Sequence, residues 1–392
     1  MNVLFLLKWF EMGGVEMVTL HLANKFVEEG YNVYIVCFER CNNSIESFFD
    51  SRIKRYRLNS MSCSNENISL MHAIMVDNKI NIVINQWGLP YQPIRVARKA
   101  AKKMNVKFIS VYHNTPDNNG RLQACNLQLE QTSNLIMRLG CIIKKSVYRI
   151  ATAISMRYIY KKSDNFILLS SSFIEKFEDY TRIRPASKLL VLTNPITVDS
   201  SDFKYSLRNK RKEIIFVGRV DENQKRISRV IDTWKLLENL YSDWSLTIVG
   251  DGSERVKEEK RIKELGLKHI HFVGFQKPIE YYKRASILIL TSEYEGFPLV
   301  LAECMSFGVI PVVYGSYSAV YDIIVDGYNG LIYPKHDCFN PYLMAEKIKS
   351  ILQNERKRDE MAMNAIETSK MYSLESVYLS WNKILNNLLY GK

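Results

Sequence analysis

The chain is 392 residues long, enough for two domains with sizeable cores, and its 47% apolar and 24% charged residues exclude wholesale disorder. No apolar stretch approaches the roughly 18 residues of a membrane-spanning helix, and the opening run M-N-V-L-F-L-L, closed by Lys8 and Glu11, is too short for a secretion signal. The formal net charge of +13 is concentrated in residues 90–162, where fourteen Lys and Arg face two acids, Asp117 and Glu130.

Such a basic patch suits phosphate-rich partners: anionic lipid, lipid-linked phosphate or nucleic acid. Seven cysteines (Cys37, Cys41, Cys63, Cys125, Cys141, Cys304 and Cys338) show no C-x-x-C or Cys/His metal spacing. Reduced thiols in the cytoplasm are the expectation.

In chain order, residues 2–7 read as a buried strand. The loop 8–14 carries Gly13-Gly14, and a helix to about Glu29 places Val15, Val18, Leu22 and Phe26 on one stripe, with Gly30 as its stop. Strands follow at 33–38, 82–85 and 107–112, and helices near 66–78 and 91–104. This alternation implies an α/β fold with a parallel sheet covered on both faces. Residues 114–130, rich in Asn and Gln, read as a surface loop.

A long helix is expected over 134–162, mixing Leu, Ile, Met and Tyr with Arg138, Lys144, Lys145, Arg149, Arg157, Lys161 and Lys162. Two settings suit it: a membrane surface with the cations at lipid head groups, or packing on the sheet with a solvated basic face. Strands near 165–170 and 188–192 close the first half. Asn194-Pro195 then breaks regular structure, and 199–212 reads as a linker.

The second half repeats the logic. A strand at 213–217 ends in Gly218-Arg219, and a helix starts near Ser228. A strand at 245–249 ends in Gly250-Asp251-Gly252, and helix 253–265 leads to a short strand closed by Gly274. After the apolar strand 285–290 comes S-E-Y-E-G-F-P-L-V-L-A-E-C-M-S-F, residues 292–307. Glycine permits a tight turn and Pro298 suits a helix start, so Glu295 falls in the loop and Glu303 in the helix's second turn. Between them lie free amides and the positive end of the helix dipole, a seat for phosphate flanked by acceptors for sugar hydroxyls. A strand at 310–313 and a turn at 326–330 follow. The last segment, 373–390, sets Leu374, Val377, Tyr378, Trp381, Ile384, Leu385 and Leu388 on one face behind Ser373, a fitting N-cap.

Arg219 and Lys225 follow a strand's C-terminal end, where open α/β sheets bind ligands, and two cations there suit a diphosphate. His113 ends the 107–112 strand. Gly13-Gly14 is either a tight turn or a close backbone approach to ligand; it is not the G-x-G-x-x-G of nicotinamide binding.

In order and spacing, Gly13-Gly14, His113, Asn194-Pro195, Gly218-Arg219, Lys225, Gly250-Asp251-Gly252, Glu295 with Glu303, and Asp326 to Gly330 resemble the family-four retaining glycosyltransferases, of the bacterial cell-surface polysaccharide type. The resemblance implies the GT-B fold: two Rossmann-like domains whose parallel sheets face an interdomain cleft. Residues 1–195 would be the acceptor side, with helix 373–392 crossing back onto it, and 196–372 would bind a nucleotide-sugar. It implies that Glu295 holds donor-sugar hydroxyls, Glu303 the ribose, and Arg219 and Lys225 the departing diphosphate, with His113 near the donor sugar. Gly13, Gly14, Gly218, Gly252, Gly274, Phe297, Pro298, Leu299 and Val300 would line the donor. Where the family usually has Gly after the Lys, this chain has Arg226, a rival for the cation role.

The expected activity is transfer of a sugar, UDP-sugar favoured over GDP-sugar, to a glycan or lipid-linked acceptor. It would need no metal or other cofactor and would take place in the cytoplasm, at the inner face of the membrane if the basic helix binds anionic lipid. Nucleic acid is not an expected partner. Two alternatives stay open: another GT-B enzyme, such as an epimerase or phosphorylase, and a basic nucleic-acid-binding protein. The second lacks any helix-turn-helix, RNP or zinc signature.

Overall fold

The computed structural model describes residues 1–38, 45–336 and 338–391; Cys41, one of the expected reduced thiols, lies outside them. The chain divides into two compact units, Met1–Thr197 with Ser373–Lys392, and Val198–Tyr372. Each is a Rossmann-like α/β domain.

The first unit is built on seven strands: β1 (Asn2–Leu7), β2 (Asn32–Cys37), β3 (Lys54–Arg57), β4 (Ile82–Asn85), β5 (Lys107–Tyr112), β6 (Asn165–Leu168) and β7 (Leu189–Val191). They pair in parallel in the order β3-β2-β1-β4-β5-β6-β7. Helices cover both faces of such a sheet, which is why its central strands read as unbroken Val, Ile, Leu and Phe. Edge strand β3, K-R-Y-R, carries no apolar pattern and escapes a reading based on periodicity.

The second unit has β8 (Glu213–Val217), β9 (Ser245–Val249), β10 (Ile270–Gly274), β11 (Ile287–Leu290), β12 (Ile310–Gly315) and β13 (Leu331–Pro334). Their order is β10-β9-β8-β11-β12-β13, again parallel. In each sheet the chain reverses direction once across the strand order, between β1 and β4 and between β8 and β11. At such a switch point the connections leave to opposite sides and open a crevice beyond the strands' C-terminal ends.

The final helix, Leu374–Tyr390, is capped by Ser373, whose hydroxyl accepts from the Ser376 amide at 3.2 Å. It buries Val377, Tyr378, Trp381 and Leu385. Phe26, on the helix Gly14–Glu28, meets Tyr378 and Trp381 edge-on at 5.8 and 6.4 Å. The Lys25–Glu375 ion pair at 2.7 Å and a hydrogen bond from Tyr31 to Asn382 at 2.6 Å frame this contact. The chain's own N-terminal helix thus covers this apolar face.

One expectation fails. Within 114–130 the structure has a helix, Gly120–Gln131, rather than a loop alone. Asn119 caps it, accepting from the Arg121 and Leu122 amides at 3.0 and 3.2 Å. Leu122 and Cys125 supply a three-residue spacing on its buried side, too sparse to stand out among Asn and Gln. The helix Leu135–Lys162 runs alongside. Only its C-terminal part packs inward, through Met156, Ile159 and Tyr160, while Leu135, Ile136, Leu139, Ile143, Val147 and Ile150 stay exposed.

Candidate active site

The second unit's switch point is built from two loops, one after β8 and one after β11. Beyond β8, the Asp221 carboxylate accepts from the amides of Gln224 and Lys225 at 2.6 and 3.0 Å, closing a turn that brings Lys225 back toward the strand end. The strand ends here are too close for any side chain. A Cβ on Gly250, whose φ is +153°, would stand 1.8 Å from the Gly218 carbonyl oxygen.

Beyond β11, Glu295 enters from the other loop. Lys225 Nζ donates to Glu295 Oε1 at 2.6 Å, and Gln224 Nε2 donates to Oε2 at 3.0 Å and to the Tyr294 carbonyl at 3.2 Å. Arg219 Nη2 donates to Gln224 Oε1 at 3.3 Å, and its Nε lies 3.2 Å from Asp221. The result is one connected chain, Arg219–Gln224–Glu295–Lys225. Glu295 is buried, whereas the Arg219 side chain is 66% exposed and presents its guanidinium to solvent. Gln224, which the sequence reading passed over, is the link.

Arg226 does not compete with Lys225. It sits at φ 53°, ψ 54°, the left-handed conformation that glycine adopts freely and that costs other residues about 1 kcal/mol. Its guanidinium is buried and approaches Glu293 at 3.6 Å, beside the 2.8 Å pair of Arg229 with Glu293. Thr291 Oγ1 donates to the Lys225 and Arg226 carbonyls, 3.2 Å from each. The position expected to be glycine keeps a glycine-like backbone, held by neighbours rather than by the residue itself.

Pro298 precedes the helix Leu299–Ser306, whose Leu299 and Val300 amides have no acceptor within the helix. Glu303 lies in its second turn, buried, and accepts from the Tyr282 hydroxyl at 3.2 Å. Burial holds the Tyr282 phenol well above its usual range, so it remains a donor. The Phe297 ring packs on Tyr372 at 5.2 Å. Gly252 follows β9 and Gly274 closes β10.

In the first unit, Gly13 is the extended residue before the helix Gly14–Glu28. His113 follows β5, and its Nε2 donates to Gln86 Oε1 at 2.7 Å. Burial drives the imidazole down to about 4, against a smaller upward pull from the Asn194 side chain, so the ring is neutral at physiological pH.

Two family models account for nearly all of both units. One described as Glycosyltransferase Family 4 matches residues 12–200, and one described as Glycosyl transferases group 1 matches residues 198–368. The chain belongs to the family-four glycosyltransferases. An α-1,4-N-acetyl-D-galactosaminyltransferase of Campylobacter jejuni, named for a GalNAc-containing PP-undecaprenol substrate, is 24% identical over 84% of this chain and 96% of its own length. The lipopolysaccharide 1,6-galactosyltransferase of Salmonella typhimurium is 30% identical over 44% of this chain and 48% of its own. Among solved structures, HepE of Anabaena in complex with UDP and glucose superposes with a TM-score of 0.76 at 15% identity, covering 99% of this chain and 100% of that one.

For a glycosyltransferase, the Arg219–Gln224–Glu295–Lys225 chain supplies cations and a fixed carboxylate at a strand-end crevice, and Glu303 supplies a second carboxylate beside free helix amides. Glu293, two residues before Glu295, belongs to a separate ion-pair network.

Proposed function

We propose that this glycosyltransferase is retaining and metal-independent, and moves a sugar from a UDP-sugar to a growing glycan on a lipid carrier during surface polysaccharide assembly. The observation that carries the reading is the connected Arg219–Gln224–Glu295–Lys225 chain at the β8/β11 switch point. Arg219 and Lys225 take up the negative charge that grows on the diphosphate as the bond from the anomeric carbon to the phosphate oxygen breaks. Glu295 orients donor hydroxyls and Glu303 the ribose. The acceptor hydroxyl attacks from the face the diphosphate leaves, the new glycosidic bond forms, and the departing phosphate oxygen takes the proton. Both Glu295 oxygens are engaged, by Lys225 and Gln224, which favours a positioning role over that of nucleophile.

The UDP held by HepE supports the donor, and the PP-undecaprenol in the Campylobacter relative's name supports the lipid-linked acceptor. The product of the reaction run in EDTA, read by NMR, is expected to keep the donor's anomeric configuration at an undiminished rate. An inverted product, or activity removed by the chelator, contradicts the mechanism.

The helix Leu135–Lys162 supports attachment to an anionic membrane face. It carries seven Lys or Arg and no acid, and Ile136 is 83% exposed. Sedimentation with phosphatidylglycerol vesicles at low salt is expected to pull the protein down and to lose it when Ile136, Ile143 and Val147 become serine. Equal sedimentation of both forms, or of neither, rules the attachment out.

A further inference from the structure

Residues 199–212 read as a linker, yet side chains from this stretch pack into the second unit. The Phe203 ring meets Phe307 at 5.0 Å, and the Tyr205 hydroxyl donates to Asp359 at 3.0 Å. Gly308, at φ +68°, makes room for that tyrosine, since a Cβ there would stand 2.5 Å from its ring. A short 3-10 turn, Leu207–Asn209, then delivers Lys210. The Lys210 Nζ lies 5.4 Å from the centre of the Phe203 ring and 5.9 Å from that of Tyr205.

Lys210 Nζ donates to the Tyr282 carbonyl at 2.8 Å. Tyr282 lies in the last turn of the helix Ile279–Arg284, where carbonyls lack an amide from the helix itself. The Ser286 amide, four residues on, donates to the Glu213 carbonyl at 3.0 Å instead. A lysine from outside the helix fills that role, and its charge suits the negative end of the helix dipole. The Tyr282 hydroxyl meanwhile donates to Glu303 at 3.2 Å, and its ring lies 5.8 Å from Phe307. The same residue is held by Lys210 at its backbone and holds Glu303 at its tip.

Placing an ammonium among rings is costly, and an apolar cluster does not need one to pack. Burial pushes the Lys210 ammonium down to about 7, against a smaller upward pull from Cys304. Burial also holds the Cys304 thiol and the Tyr282 and Tyr205 phenols above their usual ranges. Glu303 lies past Tyr282, and Asp359 and Arg358 lie past Tyr205. The charge of the Lys210 head group therefore changes near neutral pH, while the thiol and the two phenols around it stay uncharged.

We propose that Lys210 is a positioning residue for the donor: by fixing the Tyr282 carbonyl it sets the Tyr282 hydroxyl, and through it the Glu303 carboxylate, where the ribose hydroxyls bind. This inference rests on the reading of Glu303 given above. Lys210 itself touches no substrate.

The test is calorimetric titration of the full chain with UDP and with 2′,3′-dideoxy-UDP, which differ only in the ribose hydroxyls. At about pH 6.5 the wild type is expected to prefer UDP by roughly tenfold or more, and Glu303→Gln to bind the two about equally. Lys210→Met keeps most of the stem and drops the charge. It is expected to reduce the preference to within about threefold while binding the dideoxy ligand as the wild type does. Lys210→Arg is expected to restore part of the preference. In the wild type the preference is expected to fall about threefold between about pH 6 and about pH 8.5, as the ammonium loses its proton and its charge-assisted bond, and Lys210→Met is expected to show no such fall. That pH series carries the comparison if Lys210→Met fails to fold. Full preference in Lys210→Met, equal weakening of both ligands, or a wild-type preference that is flat with pH overturns the inference. No UDP binding by the wild type, or an unchanged preference in Glu303→Gln, strikes the ribose reading itself, and the role of Lys210 falls with it.

Discussion

Replacing Lys225 with alanine is expected to lower kcat/KM by about 10²- to 10³-fold, the loss typical of removing one group that stabilises transition-state charge. The ammonium faces Glu295 at 2.6 Å, inside the crevice and almost out of solvent, where an electrostatic contact is worth more than in water. The same replacement strands the Glu295 carboxylate without its counter-ion, so some loss of stability accompanies it. Adding Glu295→Gln separates the two effects. The second change is expected to recover the melting temperature but not the rate. Arginine in place of Lys225 is a poor substitute, because its planar fork does not fit the spot a compact ammonium fills. A Lys225→Ala enzyme with near-normal kcat/KM would remove the diphosphate role from this residue.

Trp381→Ala is expected to destabilise the first unit by about 3–5 kcal/mol, the usual cost of emptying a large aromatic site. The indole is buried against Phe26 and belongs to the last helix, so the loss also loosens the grip of Leu374–Tyr390 on the helix Gly14–Glu28. Against a typical stability of about 5–15 kcal/mol, this is a large fraction of the whole. Urea unfolding followed by circular dichroism reads it as a fall in midpoint. Truncating before Ser373 should be worse, since it also removes Tyr378 and Leu385. A shift below about 1 kcal/mol for Trp381→Ala would mean that the terminal helix is dispensable.

Much of this was legible in the sequence because parallel strands buried on both faces announce themselves. The runs at 2–7, 107–112 and 213–217 coincide with β1, β5 and β8, and Ser373 does cap the last helix. What escaped had no such signature. Edge strand β3 is mostly charged, and the Gly120–Gln131 helix has two buried apolar side chains among amides. At the candidate site, motif spacing pointed to Arg219, Lys225, Glu295 and Glu303 but not to what connects them. Gln224 and Tyr282 hold those groups through single hydrogen bonds across 71 and 21 residues, and pairing at such distances has no local pattern. Arg226 shows that a left-handed backbone position can persist without glycine when neighbouring groups hold it.

Calorimetric titration of UDP, GDP and ADP into the wild-type protein and Arg219→Ala tests the donor site most directly. Micromolar binding of UDP, weakened roughly tenfold or more by the loss of the exposed guanidinium, is the predicted result. Binding of none of the three nucleotides, or UDP binding that Arg219→Ala leaves untouched, would contradict a diphosphate site at the β8/β11 switch point.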